Sequence, residues 1–275
     1  MVMLQALLLT AFGVVAGSQQ PPSSVVIDAR GNVYFSDLAQ VWRVAPDGSM
    51  TIAVPNVRAP ELYLDPEGNL FGQDVWFEGV RQNKWGHYVW KRDAAGQVTI
   101  IKPATEGFLK DYSFVRDDAG NMYWPQHEKG EIRRRAPDGT ITRVVGELRQ
   151  VRSMHSTPGG TLYVIDGSDV VRVKNGRATR FAHDVVKSSA MRLISSLPHA
   201  VMGMWTDRAE NVYFADYANG EVKRVTPSGE VSKYAQSTAP WAPVGGAFAA
   251  NGDLWLLEAS EKNGVRLRKI GATKR

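Results

Sequence analysis

The feature that most constrains this chain is a single phrase written six times. In Asp207–Val231, DRAENVYFADYANGEVKRVTPSGEV, a turn leads into an alternating strand that ends in an acid, followed by a second strand and a Pro-x-Gly turn. Anchored on the residue before the alternating strand, the copies fall at Gly31, Gly68, Gly120, Gly160, Glu210 and Gly252, spaced by 37, 52, 40, 50 and 42 residues. The strands that follow read NVYFSD, NLFGQD, NMYWPQ, TLYVID, NVYFAD and DLWLLE, each short, rich in β-branched or aromatic residues and bounded by turn formers. A second turn closes the third strand at Gly48, Gly96, Gly139, Gly176 and Gly229, where glycine supplies positive φ. A repeat of about 40 residues with about four strands cannot bury its faces alone, and copies arranged in a ring can. The expected fold is therefore all-β, a six-bladed β-propeller of four-stranded antiparallel blades. The blades are expected near 25–55, 60–103, 112–146, 151–182, 202–236 and 244–271. After Arg266–Ile270 only Gly271–Arg275 remain, so the last blade is three-stranded or takes a strand from the N-terminal region.

Composition narrows the function classes. The 275 residues are 43% hydrophobic and 22% charged, the balance of an ordered globular chain. The formal charge of +5 is spread along the sequence, and its densest cluster, Arg133–Arg135, falls in a strand whose side chains alternate, so no nucleic-acid footprint is expected. Cysteine is absent, which excludes disulfides, thiolate zinc sites and a cysteine nucleophile. Residues 1–18 read as a signal peptide: Leu4–Ala16 is mostly apolar, too short to span a membrane, and ends in small residues before Gly17. The expectation is an exported, periplasmic or extracellular monomer with one propeller domain over residues 19–275.

The copies are most informative where they disagree. Blade 2 carries extra residues at Trp76–Tyr88, and the connection between blades 4 and 5 is long; the spacing of Val186, Ala190, Leu193, Ile194 and Leu197 before Pro198 predicts a short amphipathic helix. In an up-and-down blade both insertions emerge on one face, so both are expected at one mouth of the central channel, a usual place for function. By contrast, the acids closing the second strands (Asp37, Asp74, Asp166, Asp216 and Glu258, with Gln126 as the exception) recur too regularly to mark one site and are expected to bond nearby backbone.

On this repeated wording, Val25–Ile270 resembles the NHL-repeat and gluconolactonase-like six-bladed propellers. The resemblance implies a calcium set of Glu, Asn and Asp at the entries of the innermost strands. Eight residues before each anchor the chain has Ser23, Pro60, Tyr112, Arg152, Met202 and Val244, none of them an oxygen-rich ligand, with Glu61 and Asp111 one residue away. No metal or other cofactor is expected on this count; Ca²⁺ enters only with the alternative of a metal-dependent lactonase or hydrolase, using Glu61, Asp74 and Glu258 with His127 or His87 as base. A third reading, lyase chemistry like that of the virginiamycin lyases, rests on wording such as GEVKRVTPSG. The leading expectation is a propeller that binds a small molecule or protein at the channel mouth. Its candidate ligand-binding residues are Glu61, Asp74, Trp76, Trp85, His87, Trp124, His127, Arg152 and Trp241.

Overall fold

The computed structural model describes residues 9–11, 21–77, 84–107, 112–186 and 201–272. The expected helix near 186–198 falls almost wholly outside these residues, as do Asp111 and His199. Blade 1 is built from β2 (Val25–Ile27), β3 (Val33–Ser36), β4 (Val41–Val44) and β5 (Met50–Val54), after a short N-terminal strand, β1 (Leu9–Ala11). Blade 2 has β6 (Leu62–Leu64), β7 (Leu70–Phe77), β8 (Trp85–Arg92) and β9 (Val98–Glu106); blade 3 has β10 (Met122–Gln126), β11 (Glu131–Arg135) and β12 (Ile141–Val145). Blade 4 holds β13 (Val151–Ser156), β14 (Leu162–Asp166), β15 (Asp169–Lys174) and β16 (Arg177–Ala182). Blade 5 holds β17 (Val201–Thr206), β18 (Val212–Asp216), β19 (Glu221–Val225) and β20 (Val231–Gln236), and β21 (Ala242–Phe248), β22 (Leu254–Ser260) and β23 (Gly264–Ile270) make the last.

Every ladder is antiparallel, and all but that of β1 with β23 join strands consecutive in the chain. The last repeat contributes three strands of its own, as its length requires, and β1 pairs outside β23 with Leu9 opposite Leu267. Blade 3 departs from the pattern. Its inner segment, Tyr112–Arg116, meets β10 only through the Arg116–Met122 bridge and the bond from the Tyr123 N–H to the Val115 carbonyl, leaving a sheet of three strands. No helix among the described residues is long and apolar enough to cross a membrane.

The turns explain the repeat's spelling. Asp28, Asp65, Asp117 and Asp207 each accept hydrogen bonds from the backbone N–H and side-chain amide of the Asn four residues on, and Tyr34, Tyr123 and Tyr213 donate to three of the same carboxylates. The intervening anchor sits at positive φ in every blade, including Glu210 at 58°, a costly place for a residue with a Cβ. The strand-end acids are likewise engaged. Asp37 accepts from Ala39 N, Gln40 N and Trp42 Nε1 at 2.8–2.9 Å, Asp166 accepts from Gln150 N at 2.6 Å, and Asp216 pairs with Lys223 Nζ at 2.9 Å.

Blades pack face to face through four apolar clusters. One joins blades 5, 6 and 1, a second blades 4 and 5, a third blades 1 and 2, and a fourth blades 3 and 4. Among the described residues, none joins blades 2 and 3. The ring is also uneven at its centre: a Cβ on Gly203 would lie 2.6 Å from the Ser23 carbonyl oxygen, and one on Gly245 2.1 Å from it. These two glycines let the inner edges of blades 5, 6 and 1 close together.

Candidate functional site

Strand alternation sends every second inner-strand residue toward the axis. The resulting cavity, about 1600 Å³, is lined in an upper tier by Ser24, Glu61, Ser113 and Ser153 and in a lower tier by Val26, Tyr63, Val115, His155, Trp205 and Ala247. The polar tier lies seven residues before each anchor rather than eight. In blades 4, 5 and 6 bulges between Val151 and Ser153, Val201 and Met204, and Pro243 and Gly245 interrupt the ladder at the entry of the inner strand. Because blade 3 lacks a fully paired inner strand, its second strand also reaches the cavity through Trp124, Pro125 and Gln126, joined by His127 and Arg133.

Two titratable groups in this wall are shifted in opposite senses, each toward its neutral form. Burial raises the Glu61 carboxyl above its ordinary range. The same desolvation lowers the His155 imidazole to about 4, and its Nε2 lies 3.3 Å from Thr206 Oγ1 in the adjoining blade. A group whose folded pKa is raised contributes stability present below its unfolded pKa and lost as pH rises through the folded value. Replacing Glu61 with Gln is therefore expected to stabilise the protein at pH 8 by about 0.5–2 kcal/mol. The gain should vanish near pH 4, and urea titrations at the two pH values would check it; equal effects at both would remove burial as the cause.

Glu61, Trp124, His127 and Arg152 line the cavity, and Arg152 is oriented by a bond from Nε to the Gly167 carbonyl at 2.6 Å. Asp74, Trp76, Trp85, His87 and Trp241 lie away from it. Asp74 is within β7, paired opposite Tyr88, and accepts the Arg58 backbone N–H. Of the Trp76–Tyr88 segment, expected as an inserted connection, Trp76 and Phe77 extend β7 and Trp85–Tyr88 belong to β8, while residues 78–83 lie outside the described residues. Trp76 covers Gly86, where a Cβ would lie 2.5 Å from the indole, and Trp85 meets the buried His87 edge-on at 5.6 Å between centroids. Desolvation lowers the His87 pKa. Trp241 supports Arg266, whose guanidinium carbon is 4.5 Å from its ring. Sequence reasoning passed over Ser24, Ser113, Ser153 and Arg116; a count of seven rather than eight from each anchor singles out the serines.

The donors do not fit the calcium set that the resemblance implies. Among the described residues no three Asp, Glu or His side chains gather to hold a metal ion. Of the acids proposed for that chemistry, Asp74 lies off the cavity and Glu258 is bound by Arg266 and Arg268.

No protein-family model matches the chain. A virginiamycin B lyase from Nocardia farcinica is 23% identical over 217 residues, covering 78% of this chain and 69% of the lyase. Among solved structures, a streptogramin B lyase matches with a TM-score of 0.58 at 12% identity, covering 93% of this chain and 95% of that one. A putative gluconolactonase gives 0.58 at 16%, covering 98% and 95%. An auxiliary nutrient-binding protein from Bacteroides thetaiotaomicron gives 0.59 at 13%, covering 94% and 70%. At these identities the likeness establishes the fold alone, a six-bladed β-propeller. Within that fold the neighbours include lyases, lactonases and binding proteins.

Proposed function

We propose that this six-bladed propeller is an exported binding protein for a small amphipathic molecule held in the central cavity. The observation that carries the reading is the two-tier wall, with hydroxyls and a carboxyl held toward its neutral form above a largely apolar ring, the composition of a ligand pocket rather than of a metal centre. Export is supported by the apolar run Leu4–Ala16 and the small residues that end it; cleavage there would remove β1 from the outer edge of the last blade and leave the three strands β21, β22 and β23. Ser153→Trp fills the upper tier. A ligand-observed NMR screen of small aromatic fragments is expected to give hits with the wild-type protein that disappear with Ser153→Trp. An unchanged hit list, or no hits with either protein, would sink the reading.

A second reading, lyase chemistry, is favoured by the similarity to virginiamycin B lyase together with His155, an imidazole kept unprotonated inside the cavity. In elimination, His155 Nε2 would take a proton from carbon as the neighbouring bond breaks. With a pKa of about 4, the base is competent throughout the neutral range. Consumption of virginiamycin B, followed by chromatography, should then be independent of pH above about 5, fall in more acid solution, and drop at least 100-fold in His155→Ala. Wild-type protein that leaves virginiamycin B intact would exclude that substrate for this chain.

A further inference from the structure

The cavity does not stop at the channel. Its lining continues through Arg116, Trp124 and Arg133 to Ile141 on the outermost strand of blade 3, so it runs radially into the seam between blades 2 and 3. This is the joint without a shared apolar cluster. Blade 3 sends Tyr123 and Ile132 toward blade 4. The opposite face of its sheet carries a row of directly paired residues, Trp124, Arg133 and Arg143, that turns toward blade 2. From blade 2 come Tyr63, Phe71 and Lys91, the ammonium of Lys91 standing 5.8 Å from the Phe71 centroid.

At the centre of this seam is Arg116. Its guanidinium carbon lies 5.1 Å from the Tyr63 ring, 5.2 Å from Phe71 and 4.8 Å from Tyr112, and its Nε donates to the Ser113 carbonyl at 3.2 Å. No carboxylate among the described residues forms an ion pair with it. The adjacent Asp117 is occupied by Asn121 and Tyr123, and the single acid of the facing row, Glu131, is shared by Arg133 at 3.2 Å and Arg143 at 3.3 Å. Aromatic faces restrain a guanidinium without neutralising it, so the positive charge is fixed in place and its planar fork suits a carboxylate.

We propose that the seam between blades 2 and 3 is an anion-binding extension of the cavity, in which Arg116 anchors the carboxylate of an aromatic acid whose ring lies against Tyr63, Tyr112 and Trp124. This rests on the cavity being a ligand site and adds the class of ligand. The test compares 2-naphthoate with its neutral isostere 2-naphthamide by isothermal titration. Wild-type protein is expected to bind the acid at least ten-fold more tightly than the amide, with the preference shrinking as NaCl is raised. Arg116→Gln should erase the preference by weakening the acid alone, and Arg116→Lys should retain part of it. Equal binding of acid and amide by wild-type protein overturns the anion anchor even if the variants fail to fold. If the amide still binds wild type and is lost in Ser153→Trp, the cavity reading stands without the anchor. Absence of binding by either compound at millimolar concentration overturns the anchor, whereas the fragment screen judges the cavity separately.

Discussion

Replacing Glu258 with Ala is expected to destabilise the protein by about 3–5 kcal/mol, seen as a lower urea midpoint at unchanged slope. The side chain is wholly buried in the last blade and takes bonds from Arg266 Nε at 2.7 Å and from a terminal nitrogen of Arg268 at 3.0 Å. Removing it leaves two guanidinium groups facing each other around a space from which water is largely excluded. Arg268 also donates to the Gln236 carbonyl of blade 5, at 3.1 Å, so the loss reaches the joint between the last two blades. Glu258→Gln keeps the shape and one acceptor and should cost less than Ala. A Glu258→Ala protein as stable as wild type would mean that the Gln236 carbonyl and solvent suffice for the arginines without the carboxylate.

The second large effect concerns Trp90. Its indole is fully buried between blades 1 and 2, and truncation to Ala is expected to cost about 3–5 kcal/mol. The opposed residue, Gly72, is the reason the indole fits: a Cβ there would lie 2.1 Å from the ring. Gly72→Ala should therefore destabilise the wild-type protein and be nearly harmless once Trp90 is Ala. A double-mutant cycle should give a coupling of about 1–3 kcal/mol. Additive losses would show that Gly72 is needed for its backbone and not for the indole.

The ring was legible in the sequence because each turn uses residues with little freedom of choice. An Asp and an Asn four apart bracket a positive-φ position, and the alternating strand after them follows the pleat. The backbone bonding expected for the strand-end acids holds at Asp37, Asp74 and Asp166, whereas Asp216 and Glu258 are taken up by the side chains of Asn219 and Lys223 and of Arg266 and Arg268. What could not be read was the relation between copies. Tyr112–Arg116 has strand composition and yet makes a single bridge, at Arg116, because ladder pairing is decided by the neighbouring strand and not by local composition. A count of eight from the turn reached Arg152 and Tyr112, and the tier of Ser113 and Ser153, one residue on, was missed because alternation alone does not say which of the two parities lines the channel. Trp76, Trp85 and His87 pointed to something unusual in blade 2, but the unusual thing is a taller hairpin with Gly86 beneath an indole.

The seam between blades 2 and 3 also affects how the whole ring responds to its surroundings. The other five joints are held by buried hydrocarbon, whose strength changes little with added salt at modest concentration. Among the described residues this one is crossed by the Arg116 guanidinium on the Tyr63 and Phe71 rings of blade 2, and contacts that involve a charge weaken as mobile ions screen them. Ionic strength therefore acts on one joint in six, which makes this seam the place where the circle can loosen while the remaining arc keeps its shape.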